Sequence, residues 1–156
     1  MIDLAHIHPM LVHFPIVFFI TASVIFLVIA IRGGDIAARE CLPLTGAGTL
    51  VAGLLIGYLA AYFGDIALDA AVAKGFATAP LERHEEMAAT TLVYFSVLAV
   101  VLLFALWKKI SLDRGRSWYL VVAAAVGVVL LIITAYFGGH LVYDIGVNVN
   151  SVVPVK

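Results

Sequence analysis

His6-Ile7-His8-Pro9-Met10-Leu11-Val12-His13-Phe14-Pro15 stands at the mouth of the chain's first long apolar run. Three histidines and two prolines fall within ten residues, just where the chain would enter a bilayer. Ionisable side chains within membrane spans are costly, so each one is a functional-site hypothesis from the outset. A second proline–histidine pair at the same spacing, Pro80 and His84, opens the third apolar run.

The rest of the sequence explains why a bilayer is in question. Of 156 residues, 64% are hydrophobic and only 12% charged, against an average apolar usage of about half in soluble domains. Four runs, approximately 9–31, 43–64, 81–107 and 118–137, are long enough to cross a hydrocarbon layer of about 30 Å at 1.5 Å per residue. The expected fold is all-α, an integral membrane four-helix bundle in a single transmembrane domain, with 65–79 as the one sizeable outer loop. The start lacks a basic residue ahead of the apolar run, unlike a cleaved signal peptide, so the first span is expected to be retained. Cys41 is the single cysteine, which excludes an intramolecular disulfide and covalent heme attachment through Cys-x-x-Cys-His. A net charge of −1 gives no sign of a nucleic-acid partner.

Loop charges give an orientation. Arg32, Arg39, Lys108, Lys109, Arg114 and Arg116 gather on one side, and only Lys74, Arg83 and Lys156 on the other. The excess of cations marks the cytoplasmic side, so both termini and all five histidines are expected outside. In a Gram-negative host that means the periplasmic face of the inner membrane.

Ala61-Tyr62-Phe63-Gly64 recurs 74 residues on as Ala135-Tyr136-Phe137-Gly138, and Pro9-x-x-x-His13 recurs 71 residues on as Pro80-x-x-x-His84. The chain therefore reads as a duplicated two-helix hairpin. Pro15 lies inside the first run and is expected to kink it, aiming His13 inward. The stripe Gly53-x-x-x-Gly57-x-x-x-Ala61 lets helices approach closely, and would equally leave room for a flat cofactor.

In an up-down-up-down bundle the first and third spans are diagonal, so His13 and His84 at equal depth can face each other across the core. Bundle cores are where facing side chains hold cofactors and metals. A bare zinc or copper ion wants three or four ligands, whereas a heme iron needs two axial groups, the porphyrin supplying the rest. Bis-histidine heme b thus asks least of this sequence. His13 and His84 are the expected ligands, Phe14, Tyr62, Tyr136 and Phe137 the walls, and Arg83 the partner of a propionate. Gly138 and Gly139 allow close approach ahead of His140, and a second heme between His140 and His6 or His8 is conceivable. The competing reading is a divalent-ion binding or transport protein using His13, His84, His140, His8, Glu85, Glu86 and Asp65. A third is a structural subunit of a membrane complex.

The sequence also resembles a family of small four-span bacterial membrane proteins of unassigned function. The likeness lies in His8-Pro9-Met10-Leu11-Val12-His13-Phe14-Pro15, read as His-Pro-x-x-Val-His-Phe-Pro. It continues in His84 and in Gly138-Gly139-His140-Leu141-Val142-Tyr143 with Gly146-Val147 behind. Some relatives are joined to Rieske or cytochrome-c-like modules, which implies redox work nearby. Carried over, the resemblance singles out His8, His13, His84 and His140; the chain departs from the pattern at Asp144-Ile145 and at Asn148, where glycine is expected. The function so expected is electron transfer by a membrane cytochrome b, between a redox partner protein or quinone and another redox protein. A homo-oligomer is compatible with it. No nucleophile, acid–base pair or phosphate loop supports a specific enzymatic reaction.

Overall fold

The computed structural model describes residues 4–149; Lys156, counted in the charge balance, lies outside them. After a 3-10 turn at Leu4–His6 come α1 (Ile7–Leu11), α2 (His13–Ile31), α3 (Cys41–Ala73), α4 (Thr78–Lys108) and α5 (Gly115–Tyr143). Four helical stretches, Leu4–Ile31 and the three that follow, are long and apolar enough to cross a membrane. They form an antiparallel bundle in which α2 and α4 each pack on both α3 and α5, so α2 and α4 are diagonal as expected.

Prolines set where the helices begin. Pro9, Pro15, Pro43 and Pro80 each occupy the third position of their helix. The first few N–H groups of a helix have no carbonyl to bond, so a proline there forfeits nothing. The kink expected at Pro15 takes the form of a break between α1 and α2. Pro15 offers no N–H to the Leu11 carbonyl, and the next bond, from Ile16 N–H to the Val12 carbonyl, is stretched to 3.5 Å. Val12 keeps helical angles, φ −59° and ψ −25°, so the axis loosens there without turning away.

The expected outer loop 65–79 is mostly helix. α3 continues through Asp65 and Asp69 to Ala73, and only residues 74–77 separate it from α4. Nothing between Gly64 and Ala73 breaks a helix, and alanines at 67, 70, 71 and 73 favour one. The beginning of α4 at Thr78 leaves Glu82, Glu85 and Glu86 beyond its first turn. Cys41, two residues ahead of the expected second span, is the first residue of α3 and exposed.

The core centres on two rings. Phe19 of α2 and Phe95 of α4 reach across the diagonal and stack at 4.0 Å with planes 6° apart. Each is seated on a glycine of its own hairpin: a Cβ on Gly53 would stand 2.9 Å from Phe19, and one on Gly127 2.7 Å from Phe95. The small-residue stripe of α3 thus serves packing, with Gly53 under Phe19 and Gly57 under Leu92. Outward, the bundle shows Leu55, Val100 and Ile132, each more than 60% exposed. Such a surface is stable against lipid and a liability in water. Polar side chains inside are satisfied locally: Ser23, Thr91 and Ser96 donate to carbonyls four residues back at 2.7–2.8 Å. At the basic end, Asp35 ties the two connections together, its Oδ1 accepting the N–H groups of Ala37 and Leu112 at 2.8 Å each.

Replacing Gly127 by alanine should cost about 1–3 kcal/mol of stability, because the methyl must displace a fully buried ring. At Gly48, where an added Cβ meets nothing within 4 Å, alanine should gain up to about 1 kcal/mol from helix propensity. Unfolding in detergent, followed by circular dichroism, distinguishes the two.

Candidate functional site: a histidine pair between two apolar clusters

The side chain opposite His84 is His8. Their ring centroids are 6.2 Å apart and their planes stand at 82°. His13, the expected partner, is exposed on the outside of the bundle. Five residues separate His8 from His13, about 140° round a helix at 3.6 residues per turn, so the two cannot share an inward face. The loosened turn at Val12 does not bring His13 back.

Both imidazoles are held in one way. His8 Nδ1 lies 2.7 Å from the Ala60 carbonyl of α3, and His84 Nδ1 lies 3.2 Å from the Thr134 carbonyl of α5. A carbonyl oxygen only accepts, so in each ring Nδ1 carries a proton and donates; in the neutral imidazole the Nε2 lone pair is then free. One turn beyond each carbonyl is a glycine against which the ring sits so closely that an added Cβ would make it shift. A Cβ on Gly64 would lie 3.0 Å from His8 Nδ1, and one on Gly138 3.0 Å from His84 Cε1.

The arrangement repeats, and it corrects the register of the duplication. His8 and His84, like Phe19 and Phe95, are 76 residues apart; Gly53 and Gly127, Ala60 and Thr134, and Gly64 and Gly138 are 74 apart. The recurrence of Ala-Tyr-Phe-Gly therefore reports the duplication. The match of Pro9–His13 to Pro80–His84 does not: it pairs an outward histidine with an inward one.

The pair lies between the main core, built round Phe19, Phe26 and Phe95, and a small cap of Ala71, Leu81, Leu141 and Val147. Beneath it, on the core side, the hydroxyls of Thr91 and Thr134 meet at 2.8 Å. Thr134 Oγ1 is also 3.1 Å from the Met87 carbonyl. This fixes the turn of α5 that receives His84. Arg83 lies over the Phe137 ring at 5.1 Å, and Gly138, expected to allow close approach beside His140, abuts His84 instead. The other expected wall residues face away: Phe14, Tyr62 and Tyr136 are 53%, 62% and 70% exposed. Gly139 is near Tyr143 at 3.9 Å and not near a histidine ring. His140 Nδ1 binds Asp144 Oδ2 at 2.6 Å on the surface, and His6 is exposed. Asn148, where glycine was expected, has φ +60°, which asparagine tolerates.

The sequence does not mark the two backbone carbonyls or Thr91, and it shows Gly64 only as part of a repeat. The doubled Ala-Tyr-Phe-Gly pointed to Gly64 and Gly138. Nothing in the sequence marks a carbonyl as an acceptor for a distant ring.

Fold and site together define a multi-pass membrane protein carrying one inward histidine from each half of a duplicated hairpin. The chain belongs to the family described as "Predicted membrane protein (DUF2231)", which it matches over residues 5–151. No curated protein matches it, and no solved structure does.

The tautomers are directly observable. In protein labelled with nitrogen-15 at histidine, expressed without added heme, the neutral forms of His8 and His84 should carry the proton on Nδ1 and leave Nε2 bare. The reverse tautomer in either would contradict the hydrogen bonds described.

Proposed function

We propose that His8 and His84 are the axial ligands of a b-type heme, and that the protein transfers electrons at the histidine end of the bundle. The observation that carries this is the ring pair itself. Metal–imidazole bonds of about 2.0–2.1 Å put two rings facing one iron from opposite sides at a centroid separation of about 6 Å. The separation here is 6.2 Å. A ligating histidine characteristically donates its other N–H to a carbonyl or carboxylate, which fixes its tautomer and raises its basicity; both rings do so. A bare divalent ion would need further ligands, and among the described residues no three His, Cys, Asp or Glu side chains gather closely enough to hold one. Heme needs only the two.

Bound there, heme would supply one-electron chemistry. The chain's part is to present two neutral nitrogens and to keep their surroundings apolar through the clusters above and below. Gly64 and Gly138 keep side chains away from the rings. Arg83, the residue before His84, would pair with a propionate. His140, engaged with Asp144, has no counterpart ring beside it among the described residues, so the proposal is for one heme. With the histidine end outward, as the loop charges suggest, the donor and acceptor would be an outer redox protein or a quinone and a second redox protein.

Protein purified in mild detergent after expression with heme available should show a sharp Soret band and, when reduced, an α band. His8→Ala and His84→Ala should each abolish six-coordinate heme, and His13→Ala should leave the spectrum unchanged. A colourless wild-type protein, or loss with His13→Ala alone, would overturn the assignment.

A further inference from the structure

At the end of the bundle away from the histidines, a groove of about 360 Å³ runs between α4 and α5. Its floor includes Leu98, Leu120 and Tyr94, and its rim includes Val101 and Tyr119; Arg116 is the one charged residue lining it. The volume is within the range of small-molecule sites, about 300–1,000 Å³. The Tyr94 hydroxyl is committed, donating to the Ala123 carbonyl at 2.9 Å, so the floor offers an occupant little beyond apolar contact. Among the described residues the Arg116 guanidinium makes one long bond of 3.4 Å, from Nη1 to the Ser111 carbonyl, which leaves most of its donors for an occupant.

The groove's level in the bilayer is marked independently. Trp107, Trp118 and Tyr119 are all exposed at this end of the bundle, and Lys108 covers Trp107 at 4.1 Å. Amphipathic rings backed by cations mark the boundary between hydrocarbon and headgroups. Arg116 thus stands at headgroup depth, and the apolar floor runs from it toward the hydrocarbon. Basic residues dominate the connections at this end, with Arg32, Arg39, Lys108, Lys109, Arg114 and Arg116 against Asp35, Glu40 and Asp113.

We infer that this groove binds one anionic phospholipid, its phosphate on Arg116 and an acyl chain along Leu98 and Leu120. A cation at the interface above an apolar trough complements a lipid in both charge and length. A quinone would find no free hydrogen-bonding group on the floor.

The test uses the full chain in phosphatidylcholine nanodiscs with increasing fractions of phosphatidylglycerol, the lipids retained after gentle extraction being counted by native mass spectrometry. Wild-type protein should retain one phosphatidylglycerol in preference to phosphatidylcholine. Arg116→Gln should weaken that retention about fivefold, the scale of one interfacial cation. Val101→Trp, which fills the groove from its exposed rim, should weaken it comparably with every charge in place. Lys108→Gln, at the same depth but outside the groove, should leave it within twofold. Equal retention of the two lipids by wild type would overturn the inference. So would a Lys108→Gln loss matching that of Arg116→Gln, displacement by inorganic phosphate alone, or a co-purifying quinone in the lipid's place. The wild-type preference decides the matter even if a variant fails to fold.

Discussion

An imidazole placed between apolar layers must have its polar atoms met, since an unpaired polar group in such surroundings costs several kcal/mol. In this protein the bonds from His8 to the Ala60 carbonyl and from His84 to the Thr134 carbonyl meet that demand at Nδ1, and no side-chain nitrogen or oxygen buried among the described residues lacks a partner. Much of the histidine end is arranged round them. The carbonyls come from α3 and α5, the rings from α1 and α4, so each bond fastens one hairpin internally and the ring pair joins the two hairpins. Among the described residues the other nitrogen of each ring has no hydrogen-bond partner and is not shut away from its surroundings, so it is open to a ligand, and the proposed function rests on the ring pair.

Close approach is what permits the bonds. Helices in lipid associate through packing rather than through expulsion of water, and small residues govern how near they come. Gly64 and Gly138 admit the histidines, and Gly53 and Gly127 admit Phe19 and Phe95 by the same device, about three turns deeper. One half of the chain thus repeats the other in both its aromatic and its histidine layers. Where the halves differ, Thr134 replaces Ala60 and brings a hydroxyl bonded to Thr91. His84 sits near the start of a 31-residue helix cross-linked to α5, and His8 on a five-residue helix next to a break.

Much of this was legible in the sequence. Four spans, their up-and-down order and the diagonal relation of α2 and α4 follow from run lengths and short connections. The duplication was visible in Ala-Tyr-Phe-Gly. The choice of His13 over His8 was not sound, for a physical reason. Pro15 is expected to swing His13 inward, but the bond it denies the Leu11 carbonyl only loosens the axis at Val12, which keeps helical angles. Without a swing, helical periodicity alone decides the face, and it puts His8 inside. The aromatics Phe14, Tyr62 and Tyr136 were misjudged similarly, because in a membrane protein a large apolar side chain is as comfortable against lipid as in the core. The extension of α3 to Ala73 was lost when the end of hydrophobicity was taken for the end of the helix.

The most direct test of the central claim is electron paramagnetic resonance of the oxidised, heme-loaded protein at low temperature. Two axial imidazoles with planes near perpendicular, as the 82° between His8 and His84 requires, should give a highly anisotropic low-spin ferric signal. That signal should vanish in both the His8→Ala and the His84→Ala proteins. A high-spin signal from the wild type, or a low-spin signal that survives removal of His8, would contradict the assignment.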